Sequence, residues 1–537
     1  MSFGEVHLFV KGKVEASIDG IHFREVAAFD YKIRTDLQSP KCIRLKENTE
    51  SFRYFRITFM HRPYRVWMTP VDIRLNDIRL LTSSMIPDVD SRNSAMEDSY
   101  SFKPFVSDYI SDGIDPTKML DLSGKMLPDG TLRWNPPGGN WTILRIGYTT
   151  TGKCNAPATL SGLECDKLSK NGLDAHWKGM MSKIIERIGY LNVLKYCIID
   201  SYEAGGQNWT PEFETEFLKR RGYSLRPYLP TVVGYVVGKP SESARFLYDF
   251  QRTVAELFAE NYYDYFTELC HKNGLLSITE SYFGSFDYLR CARKADIPSG
   301  EFWIGSKTPI SCLYRSAGHF HGKKYVAAEA FTTDEKQGRW LQDPQQLKEY
   351  GDRAWAQGIS KLISHSFVHQ PYLNVRPGFT LGRHGAHLSR TNTWWKYGNG
   401  WIDYINRAQF LLQSGEPVVH ILILSGESDP NKYTRIPELS WAGYGYDYCC
   451  VDDLYDYITV RKHRITSPSG VTYSCLSLGE EKYLTKKTLE SVYHLLRSGA
   501  VILGRRPLGS PSLSDKADEY NELVEKIWLH VTCRSLQ

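Results

Sequence analysis

Tyr196-Cys-Ile-Ile-Asp-Ser-Tyr-Glu203, followed at once by Ala-Gly-Gly-Gln-Asn-Trp209, decides how this chain folds. An apolar run of strand length ends in two carboxylates, Asp200 and Glu203, and then breaks into glycines with an amide and an indole behind. Barrel enzymes place their chemistry where a buried strand meets such a loop. The pattern returns in Leu275-Leu-Ser-Ile-Thr-Glu280 and Tyr325-Val-Ala-Ala-Glu329, which also read as short strands finishing on Glu. One acid at a strand end is commonplace. Several in succession point to a shared pocket.

Working outward, the periodicity predicts helices at 176–188, 241–273, 344–358 and 399–415, alternating with apolar strands that include Lys361-Leu-Ile-Ser-His-Ser-Phe-Val-His369 and Val418–Leu424. Helix–strand alternation over residues 170–425 is the expectation for a (β/α)8 TIM-type barrel. Residues 1–95 read as short alternating strands of β-sandwich character, among them Phe52–Phe59 and Val71–Leu75. Residues 96–169 form a β-rich connection, with a hairpin expected at 130–147 around Pro136-Pro-Gly-Gly139. Residues 426–537 carry a small α/β pattern that ends before a full sheet is complete, so an incomplete α/β domain is expected there. The fold class is therefore multidomain, with a barrel at its centre.

Composition narrows the function. The chain has 537 residues, 42% hydrophobic and 24% charged, which is ordinary for a globular protein. No run approaches the roughly 18 apolar residues of a membrane span. The start, Met-Ser-Phe-Gly-Glu-Val-His, shows no signal peptide. The net charge of +5 is dispersed, without a basic stripe or recognition motif, which argues against nucleic acid as a partner. Eleven cysteines without a Cys-x-x-Cys fit neither a zinc site nor a disulfide framework. Aromatic residues make up 13%, and several indoles sit beside polar groups, as in Asn208-Trp209 and Thr393-Trp394-Trp395. Aromatic faces with nearby amides and carboxylates suit sugars, and core packing is the competing use of any one ring. Trp209 and Trp394 are the candidate sugar platforms.

The candidate pocket residues are Asp200, Glu203, Glu280, Asp296, Glu301, Glu329, His365 and His369. Glycoside hydrolysis needs two carboxyl groups, one to protonate the leaving oxygen and one to activate water or attack carbon. A barrel can bring Glu203 and Glu329 together across the sequence. Surplus carboxylates beside such a pair could hold a hard cation such as calcium. His365 and His369 share a strand face but stand about 13 Å apart along it. Contacts to sugar hydroxyls or core hydrogen bonds suit them better than a shared metal. No serine-hydrolase elbow, phosphate loop or dinucleotide fingerprint occurs.

Several segments, in order, resemble the α-L-rhamnosidases of glycoside hydrolase family 106. They are Trp141-Thr-Ile-Leu-Arg-Ile-Gly-Tyr-Thr-Thr-Thr-Gly152, Gly162-Leu-Glu-Cys-Asp-Lys-Leu-Ser169 and Asp200-Ser-Tyr-Glu-Ala-Gly-Gly-Gln-Asn-Trp-Thr210. Asp296-Ile-Pro-Ser-Gly-Glu-Phe-Trp303, Ala328-Glu-Ala-Phe-Thr332, His365-Ser-Phe-Val-His-Gln-Pro371 and Asn392-Thr-Trp-Trp395 continue the series. The resemblance implies an inverting enzyme, assisted by Ca2+ that contacts rhamnose hydroxyls, acting on a rhamnose-containing oligosaccharide or glycoside. By motif it makes Glu203 the general acid, Glu329 the general base, and Glu301 a second acidic group beside the base or on the metal, with Asp200 and Glu280 assigned to calcium or sugar contacts. The acid is expected in the more desolvated setting. Family members are usually exported, which implies a periplasmic or secreted location. The rival readings are a barrel glycosidase for another sugar and a carbohydrate-binding protein with a decayed barrel.

Overall fold

A computed structural model describes residues 7–34, 43, 45, 51–63, 85–86, 89–94, 113–154, 162–305, 311–333, 336–338, 340–372, 374–381, 384–431, 433 and 436–529. The chain divides into two units. Met1–Asn93, Phe105–Leu163 and Leu225–Ser243 form the first; Ser94–Pro104, Glu164–Ser224 and Ala244–Gln537 form the second.

In the first unit, β1 (His7–Ser17), β2 (Arg24–Arg34) and β3 (Tyr54–Pro63) make one antiparallel sheet in the order β2-β1-β3. Val14, Ala16, Val26, Ala27 and Phe29 are its buried apolar set. Gly12 sits where a Cβ would come within 2.3 Å of the Phe29 ring and of the Thr58 carbonyl, so no other residue fits that close crossing. This is a single described sheet rather than the expected sandwich, and the Val71–Leu75 strand lies outside the described residues. The expected hairpin at 130–147 has no strand ladder. The Trp134 and Trp141 rings meet edge to face at 5.4 Å, and Trp141 Nε1 donates to the Pro137 carbonyl at 2.9 Å. Leu225–Ser243, expected in the barrel, hydrogen-bonds instead with Ile86 and Ile114 through Gly234, Val236 and Gly238.

The second unit holds β4 (Tyr196–Ile199), β5 (Leu276–Glu280), β6 (Ile297–Trp303), β7 (Ala327–Thr332) and β8 (Lys361–Ser364). They form one parallel sheet in sequential order, β4-β5-β6-β7-β8. The helices Tyr265–Lys272, Ser311–His321 and Pro344–Ala356 lie between successive strands. Sequential parallel strands joined by helices are the TIM-like arrangement expected. One face carries Ile278, Ile297 and Ala327 with Tyr325 and Ile363 against them, and the other packs Ala328, Leu313, Ala317 and Ala354. The long predicted helix runs as Pro240–Phe258, a π-helical Ala259–Asp264, and Tyr265–Lys272.

Among the described residues this sheet has five strands, not eight. The apolar run expected as a barrel strand, β9 (Ile421–Leu424), belongs to a second sheet. There it pairs in parallel with β10 (Tyr446–Cys449) and β14 (Cys475–Ser477). A strand buried on both faces is uniformly apolar, so its composition does not name its neighbours. Between β10 and β14, β11 (Thr459–Arg461), β12 (Arg464–Thr466) and β13 (Thr472–Tyr473) make a small antiparallel sheet. With β15 (Ile502–Leu503), the second parallel sheet has the order β10-β9-β14-β15, and its winding reverses between β9 and β14. In open parallel sheets ligands bind beyond the strand ends at such a reversal. Here protein groups fill that place. Glu427, 2% exposed, accepts from the Thr485 N–H at 2.8 Å, from the Thr485 and Thr488 hydroxyls, and from the Tyr248 hydroxyl at 3.1 Å. Arg252 binds Asp429 at 3.2 Å, Asp452 at 2.9 Å and Glu256 at 3.1 Å.

Candidate active site

Side chains two apart on a strand share a face. Ile278 and Glu280 on β5, Ile297, Ser299 and Glu301 on β6, and Ala327 and Glu329 on β7 therefore point the same way. Asp200 directly follows β4, and the Ser201 N–H donates to its Oδ1 at 2.8 Å. Successive C-terminal strand ends thus bring Asp200, Glu280, Glu301 and Glu329 to one place. Carboxylate oxygens of Asp200, Glu280 and Glu329 all lie within 4.8 Å of one another. Glu301 and Glu329 are register partners across β6 and β7.

The cluster is electrostatically crowded. Glu280 is buried and accepts from the Tyr282 hydroxyl at 2.7 Å and the Ser299 hydroxyl at 3.2 Å. Burial pushes its carboxyl up to about 9, and the charges of Asp200, Glu329 and Glu301 add to the rise. Glu301 is pushed up to about 7 by burial and by Glu329, against hydrogen bonds from Trp303 and Tyr282. Glu329 accepts from the Thr332 hydroxyl, and His365 Nδ1 lies 3.6 Å from the same oxygen. The oxygen spacing of Asp200, Glu280 and Glu329 fits a calcium ion, whose ligand oxygens stand about 2.3–2.6 Å from the metal.

Glu203 lies on the loop beyond β4 and is exposed, whereas Glu329 is half-buried. The expected order of desolvation is therefore reversed, because a loop residue past the strand end meets solvent while a strand residue does not. The loop itself is firmly held. Tyr202 is buried with its ring edge-on to Phe258 and Phe286, and its hydroxyl donates to the Gly205 carbonyl at 2.6 Å. Gln207 accepts from the Lys167 N–H at 3.0 Å and donates to the Cys165 carbonyl at 3.2 Å. The Thr210 hydroxyl donates to Asp166 at 2.6 Å. Two of the segments quoted from the sequence thus fold onto one another.

His365 joins the cluster. His369 is exposed and makes no hydrogen bond or ion pair among the described residues. Trp209 tilts over buried Phe213 at 4.9 Å, and Trp394 donates to the Gln342 carbonyl at 3.0 Å while packing on Trp395. Both indoles thus take part in packing. Asp296 is a correction. It precedes β6 at the opposite end of the sheet, accepting from the Ser277 N–H and bonding His271, each at 2.8 Å. Tyr282, Ser299 and Thr332 escape a search for acids and bases. Glu280-Ser-Tyr282 and Ser299-Gly-Glu301 do carry the period-two signal that could have found the first two.

Comparison with known proteins bears on the family and the fold. A family model described as alpha-L-rhamnosidase matches residues 21–536. A curated protein of Formosa agariphila, which carries the provisional name beta-glucuronidase, is 41% identical over 424 residues, covering 77% of this chain and 36% of that protein. The solved rhamnosidase from Novosphingobium sp. PP1Y superposes with a TM-score of 0.79 at 23% identity, over 98% of this chain and 51% of that one, a likeness of fold. This chain spans about half of the solved protein and about a third of the curated one. With the family model matched over nearly its whole length, the chain belongs to the α-L-rhamnosidases of glycoside hydrolase family 106.

Proposed function

We propose that this chain carries the catalytic centre of an inverting α-L-rhamnosidase that releases terminal rhamnose from oligosaccharides or glycosides. The observation that carries the reading is the convergence of Asp200, Glu280, Glu301 and Glu329 at the C-terminal ends of consecutive parallel strands. Glu203, on its pinned loop, gives its proton to the leaving glycosidic oxygen. Glu329 takes a proton from water as that water attacks the anomeric carbon from the opposite face, so an α-linkage yields β-rhamnose. Glu203 is exposed until a sugar covers it, so the substrate's own bulk supplies the desolvation that favours the protonated form of a carboxyl group. Asp200 and Glu280, with Glu329 in reach, would hold Ca2+, which when bound would anchor sugar hydroxyls. His365 stands beside the base, and His369, Trp209 and Trp394 are the proposed outer contacts to the glycan.

The name carried by the Formosa agariphila relative supports a second reading, cleavage of a β-glucuronide. The family model, described as alpha-L-rhamnosidase and matched over residues 21–536, favours the rhamnoside over it. Aryl α-L-rhamnoside and aryl β-glucuronide assays, with and without EDTA, separate the two. Glu203→Gln and Glu329→Gln should each lower rhamnoside turnover by about 10²-fold or more, and NMR of the first product should show the β-anomer. Turnover of the glucuronide alone, or full activity in both variants, would overturn the assignment. Rhamnose binding without turnover of any aryl glycoside would mark a non-catalytic carbohydrate-binding protein.

A further inference from the structure

The ladder between β6 and β7 loses its regular register just after the paired acids. Glu301 stands opposite Glu329, but Trp303 stands opposite Thr332. Phe302 on β6 is therefore matched by two residues on β7, Ala330 and Phe331, which is a β-bulge. Phe331 has φ +68°, in the left-handed region that a residue with a Cβ enters at a cost. It is held there by packing: the ring is fully buried, edge-on to Phe302 at 5.1 Å and 6.1 Å from Trp401.

The bulge changes which way Thr332 points. In a regular strand, residues three apart face opposite sides of the sheet. The extra residue reverses that parity, and the Thr332 hydroxyl returns to donate to Glu329 Oε1. Thr332 is itself 2% exposed, and its carbonyl accepts from the Ile304 N–H at 2.9 Å, which fixes the main chain at this point. His365 Nδ1 closes the same side at 3.3 Å from the hydroxyl and 3.6 Å from Oε1. One carboxylate oxygen is thereby occupied by protein, and Oε2 is the oxygen left to work.

We propose that Thr332 is a positioning residue for the general base: the bulge at Ala330–Phe331 turns its hydroxyl onto Oε1 of Glu329, so that Oε2 receives the proton of the attacking water. The inference rests on the reading of Glu329 as base. A residue acting only through the base alters water activation and not leaving-group departure, and that sets the test.

Thr332→Val keeps the shape of the side chain and deletes the hydroxyl; Thr332→Ser restores it. With Ca2+ saturating, kcat on aryl α-L-rhamnosides should fall roughly tenfold or more in Thr332→Val, the size expected for losing a hydrogen bond to a charged group. KM should change less than about twofold, and the loss should be equal for good and poor leaving groups. Thr332→Ser should recover most of the rate, and Thr332→Ala replaces the valine variant if that one does not fold. Full kcat in Thr332→Val, with Glu329→Gln inactive, overturns the inference and leaves the base assignment standing. A loss that extra Ca2+ repairs also overturns it, because Thr332 would then shape an ion site. Full activity in Glu329→Gln sinks the reading of the base itself.

Discussion

Glu301 on β6 faces Glu329 on β7 as its register partner, two carboxyl side chains on one face of a parallel ladder. Like charges in that relation repel, and burial together with Glu329 pushes Glu301 up to about 7. The neutral form of Glu301 is therefore the one this site favours. Glu301→Gln reproduces that form, so its kcat/KM at pH 6 should stay within about tenfold of wild type, against a loss of about 10²-fold or more for Glu329→Gln. Parallel kinetics of the two variants check this. Equal losses would make Glu301 a working acid in its own right.

Removal of the proposed ion should be as informative as removal of an acid. EDTA should abolish most rhamnoside turnover, and Ca2+ should restore it more fully than Mg2+, which demands a tighter octahedral shell. Asp200→Asn removes the charge from one of the two carboxylates proposed to hold the ion, Asp200 and Glu280. Its half-saturating Ca2+ concentration should rise by about tenfold or more. Isothermal titration with Ca2+ alone gives the same comparison without substrate.

Asp296 ties β5 to β6 at the end of the sheet away from the carboxylates, through Ser277 and His271. Asp296→Ala leaves a backbone N–H and an imidazole without their acceptor. Stability should fall by about 1–3 kcal/mol, read as a lower urea midpoint, while kcat at 25 °C stays at the wild-type value. A large kcat loss in a folded variant would return Asp296 to the active site.

Glu481, which is not one of the clustered acids Asp200, Glu280, Glu301 and Glu329, offers a pH test of stability. Burial and the neighbouring Glu427 raise its carboxyl to about 7. A raised acid holds its proton in the folded state between its usual range near 4.5 and about 7. Stability therefore falls as pH climbs through that window and stays lower above it. Glu481→Gln removes the dependence, so it should match wild type at pH 5 and exceed it by about 1 kcal/mol at pH 8, since the side chain keeps some contact with water. Thermal unfolding at the two pH values decides it, and an equal change at both would refute the linkage.

The sequence makes the acids legible because each ends an apolar run: Ile199 before Asp200, Thr279 before Glu280, Ala328 before Glu329. Helices were readable from their periodicity, as in Pro344–Ala356 and Asn399–Leu412. Pairing was not. Ile421–Leu424 has the composition of any doubly buried strand, and only its hydrogen bonds to Tyr446–Cys449 and Cys475–Ser477 assign it. The Phe331 bulge was equally hidden, because Ala-Phe-Thr carries no glycine to announce a left-handed residue. Asp296 misled for the converse reason: an acid next to a strand looks alike at either end, and only one end faces the chemistry.

Arg252 has a consequence for anyone who would trim this protein. The helix Pro240–Phe258 lies early in the barrel region, yet Arg252 spends its guanidinium on Asp429 and Asp452, and Gln251 donates to the Asp429 carbonyl at 2.8 Å. A gene cut after residue 425, at the apparent end of the barrel, would remove both acids and leave Glu256 as the one carboxylate of the three still paired with that guanidinium. A fragment that keeps Arg252 with all three of its carboxylates must therefore extend past Asp452. A modular excision guided by the barrel repeat alone would break two of those three ion pairs.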